Sequence, residues 1–289
     1  MSDHTPASGL ERDERALLER VAPGLGDGEP VVREGQFHRV VVGPDRVVCL
    51  PRTRAAAVRL PRRAAVLRVL AGLDLGFRTP LPLSEGTGEP PYLVLTRVPG
   101  APLEPYEVAD PRVADAAAAQ YAALLAGLAA AGADERARAV LPAPRDQWRR
   151  FAAEVRADLF ALMSPDGRRR AERELAALDD LPYVAEAVVH GDLGPENVLW
   201  EYEDGLPRLA GVIDWDEVTI GDPAEDLAAL EAGYGGDFLA RVLARTASAD
   251  AALAARVTAI RHTFALQQAL SAHHDGDAEE LADGLTGYR

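Results

Sequence analysis

With 289 residues and 48% hydrophobic side chains, the chain can bury the core of one large domain or of two lobes. A net charge of −15 excludes a nucleic-acid surface, which needs Lys and Arg to displace phosphate counterions; it favours a cationic partner, or serves colloidal solubility alone. All 31 basic residues are arginine, so Schiff-base chemistry and a lysine phosphate clamp are excluded.

The first twenty residues are polar and charged, with no basic segment leading into an apolar run, so no export signal is expected. Cys49 is alone, no internal disulfide can form, and a cytoplasmic location is expected. Next, "EPVV", "FHRVVV" and "RVVCL" are short β-branched runs separated by "REGQ" and "GPD", which predicts a three-stranded antiparallel meander over 31–50. A helix is predicted in "RLPRRAAVLRVLAGL", where Ala64, Leu67, Leu70 and Leu73 recur at helical spacing, with Pro61 near its start and Gly72 near its end. "PPYLVLTRV" (90–98) reads as a buried strand stopped by Pro99 and Gly100. The expected division is therefore an N-terminal lobe, 1–97, and a mainly helical C-terminal lobe, 98–289.

Beyond Gly100, helices are predicted at 113–131, 147–163, 168–180 and 255–273 from apolar residues at three- and four-residue intervals. The alanine-rich stretch 116–133 carries Gln120, Tyr121 and two glycines, which suits a bundle helix better than a membrane span. Strands interrupt the helices once: "EAVV" leads into "HGDLGPE", and "NVLW", a turn at Asp204 and Gly205, and "RLAGVI" form a hairpin ending at Asp214. The predicted fold class is α+β, with a small β-rich first lobe.

The chemistry concentrates at those strand ends, where a rigid scaffold aims loop side chains. Asp192 and Asn197 are five apart before the hairpin, and Asp214 ends its returning strand. One amide and one carboxylate oxygen, Asn197 and Asp214, suit Mg²⁺, which leaves its other positions to water and phosphate. Asp192 is then free to accept a proton from an attacking hydroxyl, the arrangement that phosphoryl transfer requires. A polar loop followed by a helix N-cap accounts for Asp222 and Asp226, but not for Asp192, Asn197 and Asp214 together. His190 beside oxygen ligands makes a poor zinc site and is read as a brace of the loop.

"HGDLGPENVL" followed by "IDWDEVTIGDPAEDLA" resembles the motif pair of the aminoglycoside and macrolide phosphotransferase family. That resemblance implies a bilobal protein-kinase-like fold, ATP and Mg²⁺ as cofactors, Asp192 as catalytic base, and Asn197 and Asp214 as metal ligands. Too few residues separate Asp214 from "GDPAEDLAAL" for the activation segment of a protein kinase, so a small-molecule acceptor is expected. The nucleotide is assigned to Gly35, Gln36, Phe37 and His38 of "EGQFH", a loop with one glycine where kinases often have three, and to the hinge residues Thr96, Arg97 and Val98; the hinge would serve ATP or GTP alike. Against the kinase pattern, Cys49 stands at the lysine position of the third strand and Arg63 near the glutamate of the next helix. Either Arg52, Arg54 or Arg59 reaches the phosphates instead, or binding relies on metal and hinge. A pseudokinase that binds nucleotide without turnover starts from this gap; the complete base and metal set stands against it.

Within that family the text is similar, over nearly the whole chain, to the tuberactinomycin phosphotransferases: "REGQFHRVVVG", the unusual "VVC" strand, "PPYLVLTRVPGAPLE" and "TFALQQAL" carry the likeness. It implies transfer of the ATP γ-phosphate to a serine hydroxyl of a cationic cyclic peptide antibiotic such as capreomycin or viomycin, an antibiotic-resistance activity. Acids near the metal loop, Glu196, Asp216, Glu217 and Glu231, are the candidates for holding such an acceptor, although any one of them is more often a solvated surface charge. An aminoglycoside or other small-molecule hydroxyl kinase is the alternative.

Overall fold

A computed structural model describes residues 12–25, 31–35, 38–246 and 251–289. The chain forms α1 (Arg12–Val21), β1 (Val31–Glu34), β2 (His38–Val42), β3 (Arg46–Pro51), α2 (Arg54–Ala71), β4 (Pro82–Gly86), β5 (Tyr92–Thr96) and β6 (Ala101–Pro102). Then come α3 (Pro111–Ala131), α4 (Glu135–Val140), α5 (Gln147–Glu154), α6 (Pro165–Asp179), β7 (Ala187–Val189), β8 (Val198–Glu203), β9 (Leu206–Val212) and β10 (Thr219–Gly221). Helices α7 (Ala224–Tyr234), α8 (Gly236–Leu243), α9 (Ala251–His262), α10 (Phe264–Asp275) and α11 (Ala278–Gly284) complete it.

By contacts the chain divides into two compact units, one of Met1–Leu103, Glu135–Leu141 and Glu196–Asp216, the other of Glu104–Asp134, Pro142–Pro195 and Glu217–Arg289. The first unit thus takes in α4 and the β8–β9 hairpin, which a cut at 97/98 would leave with the second.

In the first unit the predicted meander is present, extended to a five-stranded antiparallel sheet in the order β1-β2-β3-β5-β4. Leu17 and Leu18 of α1 cover Val41, Val48, Leu50 and Val94 of that sheet, a cluster of buried residues. Helix α2 starts earlier than the apolar spacing indicates, because Thr53 caps it by accepting the Ala56 N–H at 3.1 Å. Pro61 therefore lies inside the helix, where its missing N–H leaves the Ala57 carbonyl without its helical partner. Hairpin β8–β9 pairs with the short β6, and Gly100 (φ +99°) sits where a side chain would strike the Trp200 backbone at 2.5 Å.

In the second unit α3, apolar enough by length and composition to cross a membrane, instead turns Ala117, Tyr121, Leu124 and Leu128 into a core with α8 and β7. Tyr121 packs edge-on to Tyr234 and Phe238 there. A second cluster joins α5, α6 and α10 around Val155, Leu159, Leu175, Leu266 and Tyr288. Two predicted helices are each broken. The 147–163 helix passes through a widened π-type turn at Val155–Leu159, and 255–273 splits at Thr263, whose hydroxyl bonds the Ile260 carbonyl at 2.7 Å.

Candidate active site

In the second unit, β7 delivers the chain into the loop that carries Asp192. Asp226, on the first turn of α7, accepts the N–H of His190 at 2.9 Å and of Gly191 at 3.0 Å. It is 1% exposed, and burial pushes its carboxyl above the usual range while the two amides pull the other way. His190, fully buried, accepts the Asp192 N–H through Nδ1 at 3.2 Å, which places the ring proton on Nε2. This is the bracing expected of His190. Gly191 has φ +86°, and a side chain there would meet the Glu217 carbonyl at 2.8 Å, so only glycine fits. The loop is thereby fixed from beneath, and the Asp192 side of it faces outward, exposed.

Sequence alone reads Asp226 as part of a helix cap. Its real task is holding the Asp192 loop, while Asp222 does the capping, accepting the Ala224 N–H at 3.0 Å and pairing with Arg256 at 2.7 Å. The spacing of both acids from a helix start is the same kind of signal, and nothing in it reveals which carboxylate turns back toward the loop.

In the first unit the β8–β9 hairpin brings Asn197 and Asp214 to one end: the Asn197 carbonyl accepts the Ile213 N–H at 2.9 Å, beside the Val198–Val212 pair. Asn197 is 6% exposed and Asp214 half exposed. Between Asp214 and Asp216 lies Trp215, 3% exposed, its indole N–H donating to the Val212 carbonyl at 3.0 Å and its ring stacked on Phe77. The two carboxylates that flank Trp215 both reach Arg63 of α2. Asp214 adopts φ +62°, a left-handed conformation that costs a non-glycine residue about 1–2 kcal/mol. One carboxylate and one amide oxygen at the same hairpin end fit Mg²⁺, whose remaining positions phosphate and water would fill. Among the described residues no group of three or more His, Cys, Asp or Glu could hold a metal unaided.

The same unit supplies Arg63 from α2, mostly buried, with Nε 2.9 Å from Asp216 Oδ1, Nη2 3.7 Å from Asp214 Oδ1 and Nη1 3.2 Å from His38 Nδ1. Burial, then the Arg63 charge, lowers the His38 pKa to about 4. Since arginine only donates, His38 accepts through Nδ1 and carries its proton on Nε2, a buried atom with no partner among the described residues. Asp216, a candidate acceptor contact, is thus engaged with Arg63.

The remaining expected residues fall as follows. Gly35 closes a turn with its N–H on the His38 carbonyl at 2.9 Å, and its own carbonyl takes the Arg52 guanidinium at 2.9 Å; Gln36 and Phe37 lie outside the described residues. At the hinge, Thr96 N–H donates to Leu81 and Arg97 N–H to Asp45, each at 2.9 Å, and Val98 is buried. Glu196 and Glu217 are exposed, and Glu231 is partly exposed on the last turn of α7.

An antiparallel sheet with one long helix beside it, and a helical unit whose loop presents a braced Asp192, define a kinase-type phosphotransferase. The chain belongs to the Phosphotransferase enzyme family, which matches residues 33–260. It is 65% identical to viomycin phosphotransferase of Streptomyces vinaceus over 280 residues, 95% of this chain and 98% of that protein. Among solved structures, aminoglycoside 2'-phosphotransferase-IIIa in complex with GDP superposes with a TM-score of 0.78 at 20% identity, covering 94% of this chain and 95% of that one. Macrolide 2'-phosphotransferase type I gives 0.74 at 22%, covering 96% and 98%. These two likenesses establish the kinase-like α+β fold.

Proposed function

We propose that the enzyme transfers the γ-phosphate of ATP, with Mg²⁺, to a hydroxyl of a cationic cyclic peptide antibiotic of the viomycin and capreomycin type, in the cytoplasm. The observation that carries the acceptor class is the 65% identity to viomycin phosphotransferase across almost the whole of both chains. Asp192, on a loop held by Asp226 and His190, accepts the proton of the attacking hydroxyl and orients it. Asn197 and Asp214 hold the metal, which when bound neutralises charge on the phosphates. Gly35, Gln36, Phe37 and His38, with Thr96, Arg97 and Val98, take the nucleotide, so the nucleotide-binding role falls to the N-terminal lobe. The orphaned Nε2–H of His38 supports that assignment, since a buried donor without a partner costs about 1–3 kcal/mol and a phosphate oxygen would satisfy it. Ammonium groups of the acceptor are met by Glu196, Glu217 and Glu231.

The test is incubation of the purified enzyme with Mg-ATP and, separately, capreomycin, viomycin and several aminoglycosides, read by mass for one added phosphate. Phosphorylation of the two peptides is expected. Phosphorylation confined to aminoglycosides would replace the acceptor assignment and leave phosphoryl transfer standing.

A further inference from the structure

At the lysine position of the kinase pattern, strand β3 offers the phosphates no charge. Cys49 is 2% exposed, its thiol held above the usual range by burial, and no lysine exists anywhere in the chain to stand in for it. Of the arginines that sequence suggests as replacements, Arg52 donates to the Gly35 carbonyl, and Arg54 and Arg59 are exposed on the first turns of α2. Among the described residues, the arginine that lies beside Asp214 is Arg63.

Three contacts fix its guanidinium: Asp216 at Nε, His38 at Nη1 and Asp214 at Nη2. The Asp216 pair, at 2.9 Å but not aligned as a hydrogen bond, is the short one; Asp214 at 3.7 Å is the loose one, so the carboxylate proposed as a metal ligand is the less tightly held of the two. Without Arg63, two carboxylates flanking Trp215 would present a double negative charge to an incoming polyphosphate. With it, the cluster carries a single negative charge, which a divalent cation reverses, and a polyphosphate is then attracted instead of repelled. An arginine fork suits phosphate oxygens better than a point charge, and the adjacent His38 Nε2–H is a second donor seeking an acceptor.

We infer that Arg63, anchored by Asp216, is the residue that positions the phosphates of the nucleoside triphosphate, the cation having moved from strand β3 to helix α2 and its acidic anchor to the loop after β9. The inference rests on the nucleotide being the phosphate donor. It makes Asp216 a positioning residue for the nucleotide side and not a contact for the acceptor.

Calorimetric titration of the full chain with Mg-ADP tests this without turnover. Arg63→Gln is expected to raise the nucleotide Kd about 10- to 100-fold, the usual worth of a charge-assisted hydrogen bond, and Arg63→Lys to recover part of the loss. Asp216→Asn should raise the ATP KM and leave the capreomycin KM where it was. A folded Arg63→Gln enzyme with the wild-type nucleotide Kd, or an Asp216→Asn enzyme with only its acceptor KM raised, would overturn the inference. Should Arg63→Gln fail to fold, wild-type Kd values in both Arg63→Lys and Asp216→Asn overturn it equally. A wild-type enzyme that binds no nucleotide sinks the donor assignment itself, a result separate from loss in the variants alone.

Discussion

Asp192, the proposed base, sits on a loop held by Asp226, whose two oxygens each take one backbone N–H. Asp226→Asn keeps the volume but turns one acceptor into a donor facing an N–H, which leaves a buried group unsatisfied at about 1–3 kcal/mol. The expected outcome is a fall in kcat together with a lower Tm, checked by steady-state kinetics and thermal melts. By contrast Asp192→Ala truncates an exposed side chain, and should leave Tm and nucleotide affinity nearly unchanged while turnover drops about 10²- to 10⁴-fold, the cost of losing a positioned general base. Near-normal turnover would remove Asp192 from that role. The contrast also shows what was legible at this scale. Asp192, Asn197 and Asp214 stand out in sequence as a candidate set because the motif pair carries those residue types at that spacing whatever surrounds them; their roles are the proposal made above. Asp226 and Arg63 do not, because their tasks come from which way a helix face turns, and the sequence near each reads equally well as an ordinary cap or an ordinary surface charge.

Elements were legible where one face is apolar and hidden where tertiary contact decides. The β1–β2–β3 meander and the β8–β9 hairpin announce themselves by alternation and turn residues, whereas β4 and β10 are too short and mixed to do so. The breaks at Val155 and Thr263 are equally silent, since apolar spacing continues through both. Helix α7 has a property that no pattern predicts: Glu225, next to Asp226, is raised by burial to a pKa of about 7, with Gln147 at the start of α5 donating to it at 2.8 Å. From about pH 4.5 to 7 the folded protein keeps a proton that the unfolded chain has released, so stability falls as pH rises through that window. Glu225→Gln retains the acceptor for Gln147 and removes the titration. Chemical denaturation at pH 5 and pH 8 should find the variant closer to wild type in the acid and more stable by about 1–3 kcal/mol at the higher pH. An equal difference at both pH values would show that Glu225 does not titrate in the window.

For the molecule as a whole, the stop at Pro99 and Gly100 lies a few residues before Leu103, the first place where the chain leaves the N-terminal unit. Its returns, at α4 and at the β8–β9 hairpin, leave no compositional trace because they are short segments that pack on the first unit without resembling it. Charge is the other whole-molecule property: a net −15 favours the approach of a polycation at low salt, and serves solubility as well. If the acceptor is held by the exposed Glu196 and Glu217 and the partly exposed Glu231, its binding draws on charges screened within about 8 Å at physiological salt. The capreomycin KM should therefore climb steadily between low and high ionic strength. The nucleotide KM should move less if its phosphates are held, as inferred above, by the mostly buried Arg63 and by a metal ion. Glu231→Gln should raise the acceptor KM more than it lowers kcat, since a contact made equally in ground and transition states affects binding alone. Kinetics of the wild type and Glu231→Gln at two salt concentrations decide the matter: an acceptor KM indifferent to salt would mean that the acidic surface serves solubility and that the peptide is held by contacts of another kind.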